Sequence, residues 1–248
     1  MPPPTRIPDL GNASGGNIVS LSASSSDTAV ILLGGGSLAA EHVGELPERS
    51  LVVAADSGVV HAPILGLVID AVVGDMDSID ADELHRLRTN GTNIIEYPPD
   101  KDQTDAELAL LHAVACGARR VIVIGAGGGR LDHQLSLYAL LFLDELHGLY
   151  VEARFGASRV YPLRGGEQRT IDCRAGMIVG LIPFGDDAIG VTTDGLLWPL
   201  DDETLRLATS RGVSNRSTKN SIVVGMRDGR LLITVDSAES QGVNRASA

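Results

Sequence analysis

An α/β domain built on a parallel sheet, followed by an all-β antiparallel sandwich, is the fold that this 248-residue sequence predicts. Three observations predict it. Up to Gly148 short β-branched runs alternate with helical periods, after Gly148 only short strand-like runs separated by turn signals remain, and acidic clusters sit just beyond the strands of the first half. The expected divisions are a disordered tail over 1–27, a Rossmann-like nucleotide-binding domain over 28–148 and a β-sandwich over 149–240.

The tail is rich in Pro, Gly, Ser and Asn with no apolar period, a composition that buries too little surface to offset the entropy of ordering it. The runs AVILLG (29–34), LVVAAD (51–56), AVVGD (71–75), NIIEYP (93–98) and VIVIG (121–125) are continuous rather than alternating, which suits strands covered on both faces. Between them, Asp80 with Glu83 and Thr104 with Glu107 fit reciprocal capping boxes at helix starts. The second helix places Leu108, Leu111 and Ala115 on one face and stops at Gly117. The next places Leu131, Leu135, Phe142 and Leu146 on one stripe and stops at Gly148. Beyond it, YVEARF, ASRVYPL, GMIVGLIPF, AIGVTTDG, NSIVVGMRDG and RLLITVD read as antiparallel strands.

A formal charge of −12 opposes nucleic-acid phosphates and anionic lipid, so neither nucleic acid nor membrane is an expected partner. No run approaches the length of a membrane helix and the opening MPPPTRIPDL lacks signal-peptide regions, which predicts a cytoplasmic protein. Cys116 and Cys173 lack any ligand spacing and are expected to be buried, inert thiols. The same acidity repels a free nucleotide unless a divalent metal reverses the sign locally.

Four acidic clusters end the parallel strands: AADSG (54–58), GDMDS (74–78), DKDQTDAE (100–107) and GGGRLDHQL (127–135). In open α/β sheets the ligand crevice lies past those strand ends, so distant clusters meet there. Asp75 and Asp77 flank one residue, and an extended segment would point both carboxylates toward one hard cation. With Asp80 suited to the cap, neither has an evident structural task. Asp102 and Asp105 join the same edge, where Lys101, Thr104 and the free N–H groups of a helix start suit phosphate oxygens. Gly127 and Gly128 permit close approach of backbone to phosphates, and Arg130 offers them a planar fork. Asp132 reads equally as helix N-cap or site acid, and His133 as packing residue or nucleotide contact. Neither a P-loop nor a dinucleotide fingerprint is present.

Taken together, Asp56, GDMDS, DKDQTD and GRLDH resemble the thiamine pyrophosphokinase family, and TDGLLWPL (193–200) followed by GVSN (212–215) resembles its thiamine-binding β-domain. Met76 stands where that family usually has phenylalanine. Some relatives stack thiamine on a tryptophan in the last strands, where this chain has Leu231, Leu232 and Ile233; Trp198, its only tryptophan, reads as β-core filler. The resemblance implies transfer of the β,γ-diphosphate of MgATP to thiamine, with AMP leaving. It implies Mg2+ on Asp75, Asp77 and Asp105, an acidic crevice completed by Asp56, Asp102 and Asp132, and Arg130 on the polyphosphate. Ser214 and Asn215 would face the vitamin, in a homodimer with sites between subunits. A pyrophosphokinase for another alcohol, such as a hydroxymethyl pterin, and a catalytically silent nucleotide or thiamine sensor are the competing readings.

Overall fold

A computed structural model describes residues 27–125 and 127–236. The expected tail, apart from Asp27, and the last residues of the expected second domain lie outside the described residues.

The five apolar runs form β1 (Thr28–Leu33), β2 (Leu51–Ala55), β3 (Ala71–Gly74), β4 (Asn93–Glu96) and β5 (Arg120–Gly125), all paired in parallel. Four of them are buried as their continuous apolar sequence demands, whereas β4 is only half-buried because it closes the sheet edge. Short helices α1 (Ala40–Val43), α2 (Ala62–Leu65) and the longer α3 (Ala81–Thr89) cover one face through Val43, Ala62 and Leu87. Helices α4 (Asp105–Ala115) and α5 (Leu131–Leu140) cover the other through Leu108, Leu110 and Leu140.

Both caps work by half. Asp80 accepts from Asp82 N–H at 2.9 Å, but Glu83 turns to Arg86 instead of back to the cap, and Thr104 Oγ1 accepts from Glu107 N–H at 3.3 Å. The third predicted helix is shorter than its apolar period. It ends at Leu140, so Phe142 reaches the core from a turn and Leu146 from a short 3-10 helix (Asp144–Leu146), while Leu131 and Leu135 on α5 are exposed.

The second half is continuous with the first. The segment YVEARF, expected to be antiparallel, forms β6 (Tyr150–Phe155), which pairs in parallel with β5 and antiparallel with β7 (Ser158–Arg164). The chain then adds β8 (Gln168–Asp172), β9 (Ile178–Pro183), β10 (Ala188–Asp194), β11 (Glu203–Leu205), β12 (Asn215–Arg216), β13 (Ser221–Gly225) and β14 (Arg230–Asp236). One ten-stranded sheet runs β12-β9-β14-β7-β6-β5-β1-β2-β3-β4, and a four-stranded sheet runs β11-β10-β13-β8. Tyr161, Leu163, Leu231 and Ile233 of the large sheet pack on Ile171, Val191, Ile222 and Val224 of the small one, forming the expected sandwich core.

Two side-chain expectations fail. Trp198 is 59% exposed rather than core filler, because it lies in the turn after β10 and not in a strand. Cys116 is exposed and Cys173 half-exposed: Cys116 caps the C-terminus of α4, and Cys173 follows β8 at its solvent end.

Candidate active site

The order of strands reverses between β5 and β1, and a hollow opens at their carboxyl ends, where open α/β sheets bind ligands. Its volume is about 510 Å³. Four of the sequence-predicted acids, Asp56, Asp75, Asp77 and Asp105, line it, together with Thr104, Gly127, Gly128, Arg130 and His133.

Each acid is placed by a distinct local device. Asp56 follows β2 and begins a 3-10 turn (Asp56–His61) at φ +42°, a left-handed conformation uncommon for a residue other than glycine. Asp75 and Asp77 do not use the alternation of an extended strand. Met76 between them is buried at φ +63°, so a tight bend gathers the two carboxylates, and Asp77 N–H donates to Asp75 Oδ1 at 3.2 Å. Asp105 opens α4, whose Thr104 cap sits on the same rim.

Oxygen atoms of Asp56, Asp75 and Asp77 lie within 4.8 Å of one another. Asp105 stands apart from that trio, in an ion pair with Lys101 Nζ at 2.9 Å, while the same Nζ is 3.8 Å from Asp75 Oδ2. Burial, with the neighbouring charges of Asp75 and Asp56, pushes the Asp105 carboxyl above its usual range against the opposing pull of Lys101. Asp56 is buried, and its Oδ1 has no hydrogen-bond partner among the described residues. A buried, orphaned carboxylate oxygen among further carboxylates is a donor set suited to a hard divalent cation such as Mg2+, which favours oxygen ligands.

Gly74 is what lets these acids meet. A Cβ there would lie 3.0 Å from Asp56 Cβ and 3.1 Å from Asp105 Cγ, on a backbone at φ +155°. Gly74→Ala is therefore expected to push the carboxylates apart and lower turnover by about tenfold or more, since small misplacements of reacting groups are costly. Steady-state kinetics beside a circular dichroism spectrum of the variant would check it.

The remaining predicted residues fall less centrally. Asp102 is exposed and outside the lining of the hollow. Asp132 is the second residue of α5 rather than its N-cap, and its 64% exposed carboxylate is held by the fork of Arg130 at 2.6 and 3.2 Å, which depresses its pKa. Ser214, at φ +64°, lines a second hollow of about 240 Å³ with Ile178, Gly180, Ile182, Thr234 and Asp236. Asn215 is buried, and its amide is committed to Trp198: Nδ2 donates to Trp198 O at 2.7 Å and Oδ1 accepts from Trp198 N–H at 3.1 Å.

Several lining residues escaped the sequence reading. Gly34 and Gly35 follow β1 at the same edge, and the GGGS run was the available signal. A Cβ on Gly34 would sit 2.0 Å from Ser57 Oγ, so that glycine admits the turn carrying Asp56. On the opposite wall Tyr138 and Phe155 meet edge to face at 5.8 Å, beside Leu137 and Leu140, giving an apolar surface for a flat ring.

Comparison with known proteins bears on what this hollow serves. Two sequence models of one family match in tandem, "Thiamin pyrophosphokinase, catalytic domain" over residues 45–150 and "Thiamin pyrophosphokinase, vitamin B1 binding domain" over residues 168–231, together more than half of the chain. The chain belongs to the thiamin pyrophosphokinase family. Among family members, the thiamine pyrophosphokinase of Bacillus subtilis is 27% identical over 172 residues, spanning 69% of this chain and 80% of that one. Thiamine pyrophosphokinase 1 of Arabidopsis thaliana is 28% identical over 173 residues, spanning 67% of this chain and 64% of the plant protein. The crystal structure of the Bacillus subtilis enzyme has the same fold, with a TM-score of 0.75 and 24% identity over 85% of this chain and 99% of that one. In this member of the family the catalytic model spans all four acidic clusters, and the vitamin-binding model spans Ser214 and Asn215.

Proposed function

We propose that this protein is a thiamine pyrophosphokinase, transferring the β,γ-diphosphate of MgATP to the hydroxyethyl oxygen of thiamine and releasing AMP and thiamine diphosphate. The observation that carries the reading is the convergence of Asp56, Asp75, Asp77 and Asp105 in one hollow at the switch point of the parallel sheet.

In this reading Asp75 and Asp77, with Asp56 or Asp105 beside them, hold Mg2+. When bound, that ion offsets phosphate charge and polarises the transferred group. The protein's own groups do the rest. Arg130 and the backbone around Gly127 and Gly128 orient the polyphosphate, and the first turn of α4 at Thr104 offers N–H groups to it. The wall of Tyr138, Phe155 and Leu137 receives the purine and keeps water from that side. Ser214 and the small hollow around it receive the vitamin, whose thiazolium cation suits the Asp236 carboxylate on its wall.

Two further features are supported by the family resemblance: assembly as a homodimer with sites between subunits, and work in the cytoplasm. Among the described residues no helix is long and apolar enough to cross a membrane.

The test is an assay of the purified protein with MgATP and one candidate alcohol at a time. AMP and thiamine diphosphate should appear in equal amounts only when thiamine is present. AMP released with a hydroxymethyl pterin and not with thiamine would replace the acceptor.

A further inference from the structure

Lys101 is not among the residues that line the acidic hollow, yet it pairs with two that are. Its side chain is only 11% exposed, and its ammonium pairs with two of the four convergent carboxylates, at 2.9 Å from Asp105 and 3.8 Å from Asp75. Asp75 also belongs to the trio whose oxygens lie within 4.8 Å of one another. One carboxylate therefore serves two positive charges, the ammonium already on it and the divalent ion for which the trio is suited. Arg130 does not share this task. Its guanidinium is 73% exposed and its fork lies on Asp132.

Four carboxylates gathered without a counter-charge would repel one another apart. A lysine suits such a post, being a compact charge on a flexible four-carbon stem that can leave one partner for another, which a rigid guanidinium fork does less readily. The pairing joins partly buried groups, where an ion pair is stronger than in open solvent, and it competes directly with metal for Asp75.

We propose that Lys101 is an internal counter-ion, which holds the acidic hollow together in the metal-free protein and is displaced from Asp75 and Asp105 when a divalent cation binds. The proposal rests on the metal reading above and adds a charge exchange to it: an ammonium leaves as a dication arrives. Once displaced, the ammonium is free for phosphate oxygens. Metal and nucleotide then help each other bind, because the metal releases the lysine and the phosphates give it a new partner. Lys101 is thus a positioning residue that times nucleotide entry to metal loading.

The sequence offers an unusually clean test, since the chain has two lysines, Lys101 and Lys219. Lys219 is 57% exposed and paired with Asp194 at 2.7 Å, far along the chain from the acidic clusters, so it serves as the internal reference. The wild-type protein is acylated with an amine-reactive ester with and without Mg2+ alone, and the two lysine peptides are quantified by mass spectrometry. Labelling of Lys101 relative to Lys219 should rise severalfold on adding Mg2+. In parallel, Mn2+ binding in the absence of nucleotide is followed by the loss of free-ion paramagnetic resonance signal. The Lys101→Met variant should bind Mn2+ about tenfold more tightly than wild type, as removal of a competing charge a few ångströms away requires. Should that variant fail to fold, the labelling of the wild type decides alone. Mn2+ binding by the wild type with unchanged Lys101 labelling and equal affinity in Lys101→Met would overturn the exchange and leave the metal site standing. Absence of Mn2+ binding in both proteins would remove the metal site and the exchange with it.

Discussion

Asp75→Asn and Asp77→Asn are each expected to lower the rate of AMP release from MgATP and thiamine by about 10³-fold or more, the scale set by removing charge-stabilising groups aimed at a transferring phosphoryl group. Neither change should disturb the fold. Both side chains stand on a rim at the end of β3; asparagine can largely reproduce the bonds from Asp77 N–H to Asp75 Oδ1 and from Ser78 Oγ to Asp77 Oδ1, while Asp75 also loses its ion pair with Lys101 Nζ at 3.8 Å, which leaves Lys101 its closer partner Asp105. What asparagine cannot supply is negative charge toward a metal. The loss should therefore appear mainly in turnover and in Mn2+ affinity, with the thermal midpoint of the metal-free protein unchanged or raised for Asp77→Asn, where like charge in the hollow is reduced, and slightly lowered for Asp75→Asn, which takes one of two partners from Lys101. Rates within tenfold of wild type for either variant would remove that residue from the metal site.

The largest effect on stability is expected far from this hollow. Glu152 on β6 is 2% exposed and accepts from Arg154 Nε at 2.5 Å, Arg159 at 3.2 Å, Arg120 at 3.5 Å and the Tyr150 hydroxyl at 3.2 Å. Arg154, 4% exposed, also donates to the carbonyls of Val43 and Glu45, each at 2.8 Å, and so ties β6 to the end of α1. The Tyr150 ring in turn meets the guanidiniums of Arg120 at 4.8 Å and of Arg169 at 4.6 Å, the latter from the small sheet. One buried carboxylate is thus the shared acceptor of three arginines where the parallel layer meets the sandwich, and the counter-charge of the buried one, Arg154. Glu152→Gln keeps the shape and removes the charge, leaving Arg154 buried without a counter-ion. A cost of about 3–5 kcal/mol is expected, as for other buried pairs broken on one side. Urea unfolding at neutral pH would measure it, and a loss below about 1 kcal/mol would mean that the arginines relax into solvent.

That cluster was illegible in the sequence, whereas much of the catalytic layer was not. Runs such as VIVIG and AVILLG carry their own assignment, since continuous β-branched residues bounded by glycine can satisfy neither an exposed strand nor a surface helix. The acidic clusters could be assembled from sequence because the fold rule brings carboxyl strand ends together regardless of spacing. Details set by tertiary contacts were lost. The bend at Met76, not strand alternation, gathers Asp75 and Asp77, and no local pattern marks a left-handed methionine. The apolar period of α5 was read past its end, because Phe142 and Leu146 belong to the same core while lying in the turn and the short 3-10 helix that follow it. The segment YVEARF, with Glu and Arg at alternate positions, groups by sequence with the antiparallel strands because it follows Gly148, where the helical periods stop. Those charges instead face one another inside the protein, and the strand is the sixth of the parallel set. Trp198 was misjudged because large apolar side chains usually mark cores, whereas here the polar amide of Asn215 fixes the backbone of Trp198 and leaves its indole in solvent.

The direct test of a divalent ion gathered by acids from separate strands is a crystal soaked or grown with Mn2+ and a non-hydrolysable ATP analogue, with the ion located by its anomalous scattering. The expected result is a peak in direct coordination range of carboxylate oxygens from Asp75 and Asp77, with Asp56 or Asp105 as a further ligand and the triphosphate reaching it from the Arg130 side. A peak elsewhere, or a triphosphate bound with these four carboxylates uninvolved, would contradict the account.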